Sequence, residues 1–296
     1  MKLTRPSEVK ALLQELEFQP SKVLGQNFLI DGNILRILVD AAEIHPGDQV
    51  LEVGPGLGVL TEEIIARGAR LIAVEKDKRL YAYLLTQFAQ GPDLEFRNAD
   101  ILEVDLNALL VMGVNKVVAN LPYSVGSRFL VDLFEAERAV EGIVVTVQKE
   151  VGARLAARSG SSDYGLLSVL AQLRYEVSMA KTVSPSCFYP PPEVTSAIVR
   201  LKVKPQSPSR EEMIRTRKLL KLCFSARRKQ LLTTLRGYLQ IDSKSQGKLE
   251  NLLHGIGIGP KVRPEEIPPY QWRELGRSLL GYSKGGADEK SISDAT

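Results

Sequence analysis

From Gln49 to Gln148 the chain alternates short Val/Ile/Leu runs with amphipathic stretches, and this alternation restricts the fold more than any other feature of the sequence. The apolar runs are VLEVG (50–54), RLIAVE (70–75), LEFRN (94–98), KVVAN (116–120) and GIVVTVQ (142–148), with helical patterns such as TEEIIARG and KRLYAYLLTQF between them. Strands that are apolar on both faces belong to a parallel sheet covered by helices on both sides. Crossovers between parallel strands are right-handed, so the expected domain is α/β, a Rossmann-like, doubly wound, mostly parallel sheet. Two later runs, VSMAKTVS (177–184) and SAIVRLKV (196–203), flank a Pro-rich loop and predict an antiparallel pair at the sheet edge. Helical spacing of apolar residues over 5–18 and 33–42 predicts a helical extension ahead of the first strand.

Beyond the linker-like KPQSPSRE (204–211) the period changes to helix only, over 211–239, 245–253 and from about Pro268 onward. The expected organisation is an α/β domain over 1–204, a smaller all-α domain over 205–282 and a disordered tail over 283–296. Charge follows the same division. From Pro205 onward 17 Lys/Arg stand against 10 Asp/Glu, whereas 22 stand against 25 before it. A basic appendix on an acidic body suits a polyanion partner. Within the predicted helix, Arg227, Arg228 and Lys229 are expected to meet RNA phosphate while the apolar row Leu231, Leu232 and Leu235 packs. A solvated helix face is the competing reading.

Several classes are excluded. Two cysteines (Cys187, Cys223) and two histidines (His45, His254) leave no disulfide framework and no basis for a metal site or a histidine triad. No run of 18 apolar residues offers a membrane span, and the N-terminal stretch lacks the pattern of a secretory signal. The expected setting is cytoplasmic, with no membrane, metal or obligate protein partner.

Chemistry concentrates where the runs end. VLEVGPGLGVLTEEI sets Gly54, Gly56 and Gly58 between a strand and a helix, where ligands bind in open α/β sheets. The dinucleotide fingerprint needs its third glycine at position 59, which is Val59, and no G-K-[ST] follows. A nucleoside ligand suits the loop better than a pyrophosphate. Glu75 ends the second run, where an acid can accept from both ribose hydroxyls, and Asp100 after the third can meet an adenine amino group. After the fourth run comes Asn120-Leu121-Pro122-Tyr123. An adenine amino group is a poor nucleophile because its lone pair is delocalised, so it needs acceptors that hold its hydrogens and turn the lone pair outward. The Asn120 side-chain oxygen and the Leu121 carbonyl fill that role, and Tyr123 offers a face for an extruded base. Phe188, ahead of three prolines, is expected to form the other side of an aromatic sandwich, with Tyr189 as packing.

These segments together resemble the ribosomal RNA adenine dimethyltransferases of the small-subunit (KsgA) type. The resemblance is carried by KVLGQNFLID (22–31), LEVGPGLGVLTEEI (51–64), VEKD (74–77), NADIL (98–102), NLPY (120–123), FYPPPEV (188–194) and CFSARRKQLLTTL (223–235). It implies a class I methyltransferase fold, S-adenosyl-L-methionine as cofactor, and N6,N6-dimethylation of two adjacent adenosines near the 3′ end of small-subunit rRNA during ribosome assembly. It further implies that Asn27 and Leu29 belong to a cofactor clamp, with Gly54, Gly56, Glu75, Asp100 and Asn120 as cofactor contacts. The residue pair Tyr123 and Phe188 resembles the family's base-stacking pair. Ser124 and Thr233 depart from the Asn that the family commonly carries there. The competing readings are an erythromycin-resistance-type methyltransferase of large-subunit rRNA, a non-catalytic RNA-binding assembly factor on the same fold and, more distantly, a nicotinamide oxidoreductase.

Overall fold

The computed structural model describes residues 3–241 and 246–279, so the tail expected at 283–296 lies outside the described residues. The chain runs α1 (Pro6–Glu15), β1 (Phe28–Leu29), α2 (Gly32–Ala41), β2 (Gln49–Val53), α3 (Val59–Ala66), β3 (Arg70–Glu75), α4 (Lys78–Gln87), β4 (Leu94–Asn98), α5 (Leu106–Val111), β5 (Lys116–Asn120), α6 (Gly126–Phe134) and β6 (Gly142–Gln148). It continues through α7 (Lys149–Ala156), α8 (Leu166–Arg174), β7 (Tyr175–Val183), β8 (Phe188–Tyr189) and β9 (Ser196–Val203). Four helices follow: α9 (Arg210–Ser225), α10 (Leu231–Tyr238), α11 (Gln246–Gly255) and α12 (Pro269–Ser278). Packing separates two units, Met1–Ala153 with Glu176–Lys204, and Arg154–Tyr175 with Pro205–Thr296.

The first unit holds a seven-stranded sheet of order β4-β3-β2-β5-β6-β9-β7. Strands β2 to β6 pair in parallel, and β9 runs antiparallel to β6. Chain order reverses between β2 and β5, which opens a crevice at the carboxyl ends of those strands. One sheet face carries Val50, Leu71, Ala73, Val118, Val144 and Ile198 in a common core with Leu35, Leu38 and Val39 of α2 and Leu60 and Ile64 of α3. Both faces of these strands are buried, which is why they read as unbroken apolar runs. Helix starts are fixed locally: Asp31 accepts from the amides of Asn33 and Ile34, and Asp77 from those of Arg79 and Leu80.

In the second unit, Tyr164 donates to the Ile267 carbonyl at 2.6 Å, and its ring meets Phe224, which in turn packs on the buried Trp272. Residues 154–175 therefore fall with the C-terminal helices, whereas the sequence reading assigned them to the first domain. The apolar spacing of α8 marks it as a packed helix but does not say against which core.

The single helix expected over 211–239 is two helices. Helix α9 ends at Ser225, and Lys229 N–H turns back to the Ala226 carbonyl at 2.8 Å. Gln230 is extended, and Leu231 N–H bonds the Val262 carbonyl at 2.9 Å. Arg227, Arg228 and Lys229 thus sit in a turn and not along a helix face. Contacts distant in sequence end the helix, and the polar residues Arg227, Arg228, Lys229 and Gln230 interrupt its apolar row at the same place.

Candidate active site

The carboxyl ends of β2, β3 and β5, the residues after β4, and the loop before β1 enclose a cavity of about 260 Å³. Asn27, Leu29, Gly54, Gly56, Glu75, Asp100, Asn120, Leu121 and Tyr123 all line it. Nine positions spread over almost a hundred residues converge because parallel strands deliver their last residues to one edge.

The glycine loop is held by geometry as well as by any need for room. Gly54 and Gly56 have φ of +67° and +59°, a region that side chains other than glycine rarely enter. A Cβ on Gly56 would stand 3.0 Å from the Phe28 ring, and one on Gly54 would stand 3.1 Å from the Pro122 ring. The loop therefore packs under β1 and the NLPY turn. Phe28 is a part of this wall that the sequence reading did not single out.

Glu75 is buried, and both its oxygens are engaged: Gly56 N–H donates at 3.1 Å and Asp77 N–H at 2.9 Å. Burial raises its pKa, with the Asp77 charge acting in the same direction and the two amides opposing it. Each carboxylate oxygen keeps a lone pair for a further donor. Asp100 accepts from Lys76 Nζ at 2.6 Å and from Leu102 N–H at 3.0 Å, and the lysine holds its carboxyl below the ordinary aspartate range. Glu52 also lines the cavity, and the sequence reading passed over it. It is fully buried, takes a hydrogen bond from Thr61 Oγ1 at 2.6 Å, and has its pKa pushed up to about 8 by burial.

The Asn120 side chain has a defined orientation. Its Nδ2 donates to the Asn27 carbonyl at 2.9 Å, and since a carbonyl only accepts, the amide oxygen occupies the other end. Among the described residues no group donates to that oxygen or to the Leu121 carbonyl. Tyr123 is half-buried, with its hydroxyl hydrogen-bonded to Ser196 Oγ at the start of β9.

Two expectations depart from the structure. Phe188 does not line the cavity: its ring is 2% exposed in the core with Leu29, Leu35 and Leu38. The cause is the antiparallel pair β1–β8, in which Leu29 faces Phe188 and Phe28 faces Tyr189. Alternation sends the first pair into that core and the second toward a separate cluster with Val9 and Leu12. Arg227 is likewise not an open cation. It pairs with Glu265 and donates to the carbonyls of Ser162 at 2.8 Å and Ser161 at 3.1 Å, all within the second unit. Arg228 and Lys229 are exposed.

Among the described residues there is no group of three or more His, Cys, Asp or Glu that could hold a metal ion, and no helix is long and apolar enough to cross a membrane.

Comparison with known proteins matches residues 17–273 to the family described as Ribosomal RNA adenine dimethylase. A relative from Deinococcus radiodurans, named Ribosomal RNA small subunit methyltransferase A, is 40% identical over 277 residues, covering 94% of this chain and 91% of its own. The protein of that name from Moorella thermoacetica is 37% identical, covering 93% and 97%. Among solved structures, the 23S rRNA methyltransferase ErmE aligns with a TM-score of 0.64 at 26% identity, over 86% of this chain and 100% of that one. A dimethyladenosine transferase from Plasmodium falciparum aligns with a TM-score of 0.72 at 23% identity, over 86% and 98%, a likeness of fold.

Proposed function

The chain belongs to the ribosomal RNA adenine dimethylase family, and from that membership we propose that it dimethylates N6 of adenosine in small-subunit rRNA. The fold is that of the class I methyltransferases. The methyl donor is S-adenosyl-L-methionine, and the substrate is a pair of adjacent adenosines near the 3′ end of the rRNA in a small-subunit precursor, in the cytoplasm.

The cavity suits this cofactor. Glu75, buried and rigidly oriented by two backbone amides, presents its remaining lone pairs where ribose hydroxyls can donate. Asp100 offers an acceptor for an adenine amino group, and the amides and carbonyls of the Gly54–Gly56 and Asn27–Leu29 segments border the remaining space. When bound, the cofactor supplies an electrophilic methyl carbon on a sulfonium leaving group. What remains for the protein is alignment and exclusion of water.

The observation that carries the reading is the orientation of Asn120. With Nδ2 committed to the Asn27 carbonyl, the amide oxygen is left to accept a hydrogen from the target amino group. The Leu121 carbonyl accepts the second. Two acceptors on the two N–H bonds turn the nitrogen lone pair out of conjugation and toward the methyl group, and they gain most as the nitrogen becomes pyramidal. After the first transfer the cationic nitrogen gives up one proton to water and a single N–H remains, so one acceptor serves the second transfer. Tyr123, held by Ser196, offers the ring on which the extruded base stacks. Arg228 and Lys229, exposed in the α9–α10 turn, contribute phosphate contacts.

The test is incubation of unmethylated small and large subunits together with labelled S-adenosylmethionine, followed by mapping of the label. Two adjacent dimethylated adenosines near the 3′ end are expected. Label confined to large-subunit rRNA would favour the erythromycin-resistance-type reaction, and cofactor binding without any transfer would favour an assembly factor.

A further inference from the structure

Gln26 lies beside the proposed clamp, and nothing described so far gives its side chain a task. Both ends of its amide are engaged. Its Oε1 accepts from Ser21 N–H at 2.7 Å, while its backbone N–H bonds the Ser21 carbonyl at 3.2 Å, closing residues 21–26 into a loop. Its Nε2 donates to Asp77 Oδ2 at 3.1 Å, which fastens the loop to the turn between β3 and α4.

Asp77 is the residue whose N–H orients Glu75, and its other oxygen caps α4. On the other side, the next residue after Gln26 provides the carbonyl that fixes the Asn120 amide. A second attachment, Ser124 Oγ to the Leu24 carbonyl at 3.2 Å, ties the loop to the turn carrying Asn120 and Tyr123. Hydrogen bonds from Glu75 to Asp77, from Asp77 to Gln26 and from Asn27 to Asn120, with the peptide link between Gln26 and Asn27, thus connect Glu75 to Asn120. Gln26 itself lines the cavity, and of these links its side chain alone joins the loop to the β3–α4 turn, by a bond that leaves Glu75, Asp100 and Asn120 in place when it is removed.

We propose that Gln26 is a positioning residue: by holding the 21–27 loop against Asp77, it sets the Asn27 carbonyl where it keeps the Asn120 amide oxygen turned toward the target amino group. The proposal rests on the reading of Asn120 given above. An amide that loses its carbonyl partner can rotate by half a turn, presenting N–H where an acceptor is needed. The consequence falls on the rate of methyl transfer, because the acceptor matters most in the transition state.

The hydrogen bond from Gln26 to Asp77 can be rebuilt with its direction reversed, which gives a sharp test. Gln26→Ala removes the side-chain bonds to Ser21 and Asp77 and is expected to slow single-turnover transfer about 10-fold. Calorimetric affinity for S-adenosylmethionine should stay within about 3-fold and the melting midpoint nearly unchanged. Gln26→Glu sets a carboxylate against Asp77 and should be slower still. In Gln26→Glu/Asp77→Asn, Nδ2 at position 77 donates to the new carboxylate, Oδ1 retains the α4 cap, and net charge is conserved; the rate should return to within about 3-fold of the parent. Combined with Asn120→Ala, the Gln26→Ala change should add nothing further.

Three results would overturn the proposal: parental transfer by Gln26→Ala, a double exchange no faster than its slower single variant, or equal losses in rate and cofactor affinity. Failure of the underlying reading is separately visible, since Asn120→Ala would then transfer at the parental rate whatever Gln26 does.

Discussion

Glu52→Gln is expected to stabilise the ligand-free protein at pH 8 and to leave it little changed at pH 5. Glu52 is 1% exposed, and burial pushes its pKa from 4.5 to about 8, with the Thr61 hydrogen bond opposing the rise and the Glu75 charge adding to it. The folded value thus lies above the unfolded one. Below pH 4.5 both states hold the proton and Glu52 costs nothing by ionisation. Between pH 4.5 and 8 the unfolded chain releases the proton while the folded chain keeps it, so stability falls as pH rises, by up to about 1.4 kcal/mol per pH unit. Above pH 8 the loss is complete. By pH 7 the cost is about 3 kcal/mol, or roughly 6–10 °C in melting midpoint for a unit of this size. Glutamine keeps an acceptor for Thr61 Oγ1 and cannot ionise. Other groups titrate too, so the informative quantity is the difference in midpoint between variant and parent, followed by circular dichroism from pH 5 to 8.5. That difference should grow steadily in favour of the variant up to about pH 8 and then level off. A constant difference across the range would mean that Glu52 ionises at an ordinary pH, and the account of its burial would be wrong.

Asn120→Ala should reduce single-turnover methyl transfer roughly 10²–10³-fold while cofactor and RNA affinities change little, by analogy with removing one preorganised polar contact. Glu75→Ala should weaken S-adenosylmethionine about 10- to 150-fold, since hydrogen bonds to a charged group contribute roughly 1.5–3 kcal/mol; unchanged calorimetric affinity in a folded variant would remove Glu75 from the site. The basic turn should divide by function. Arg227→Ala should lower the stability of the second unit by about 1–2 kcal/mol, discounted for its partial exposure, because it strips Glu265 and two carbonyls of their partner. Arg228→Ala/Lys229→Ala should leave stability alone and flatten the salt dependence of RNA binding, a change measurable by titration at several ionic strengths.

The strands from 50 to 148 were legible in the sequence almost to the residue, because strands buried on both faces, as β2, β3, β5 and β6 are, read as near-continuous apolar runs. That regularity also made the cavity legible: once the sheet is parallel, Glu75, Asp100 and Asn120 follow the carboxyl ends of consecutive strands and must share one edge. The tertiary structure decided matters that depend on partners distant in sequence. Helix α9 stops at Ser225 because Leu231 bonds Val262 and Arg227 reaches Ser161, Ser162 and Glu265, partners that the polar residues 227–230 do not themselves identify. Phe188 turns inward because it pairs with Leu29, a register between two-residue strands that no composition reveals. Glu52 reads as an ordinary acid in VLEVG, and only enclosure by the sheet and Thr61 makes its proton hard to remove. Which way the Asn120 amide faces is set by the carbonyl of Asn27, 93 residues earlier. Residue types and periodicity determine which groups are delivered to an edge; the direction in which each group points, and whether it carries charge there, is fixed only by the hydrogen bonds and burial that the assembled fold imposes.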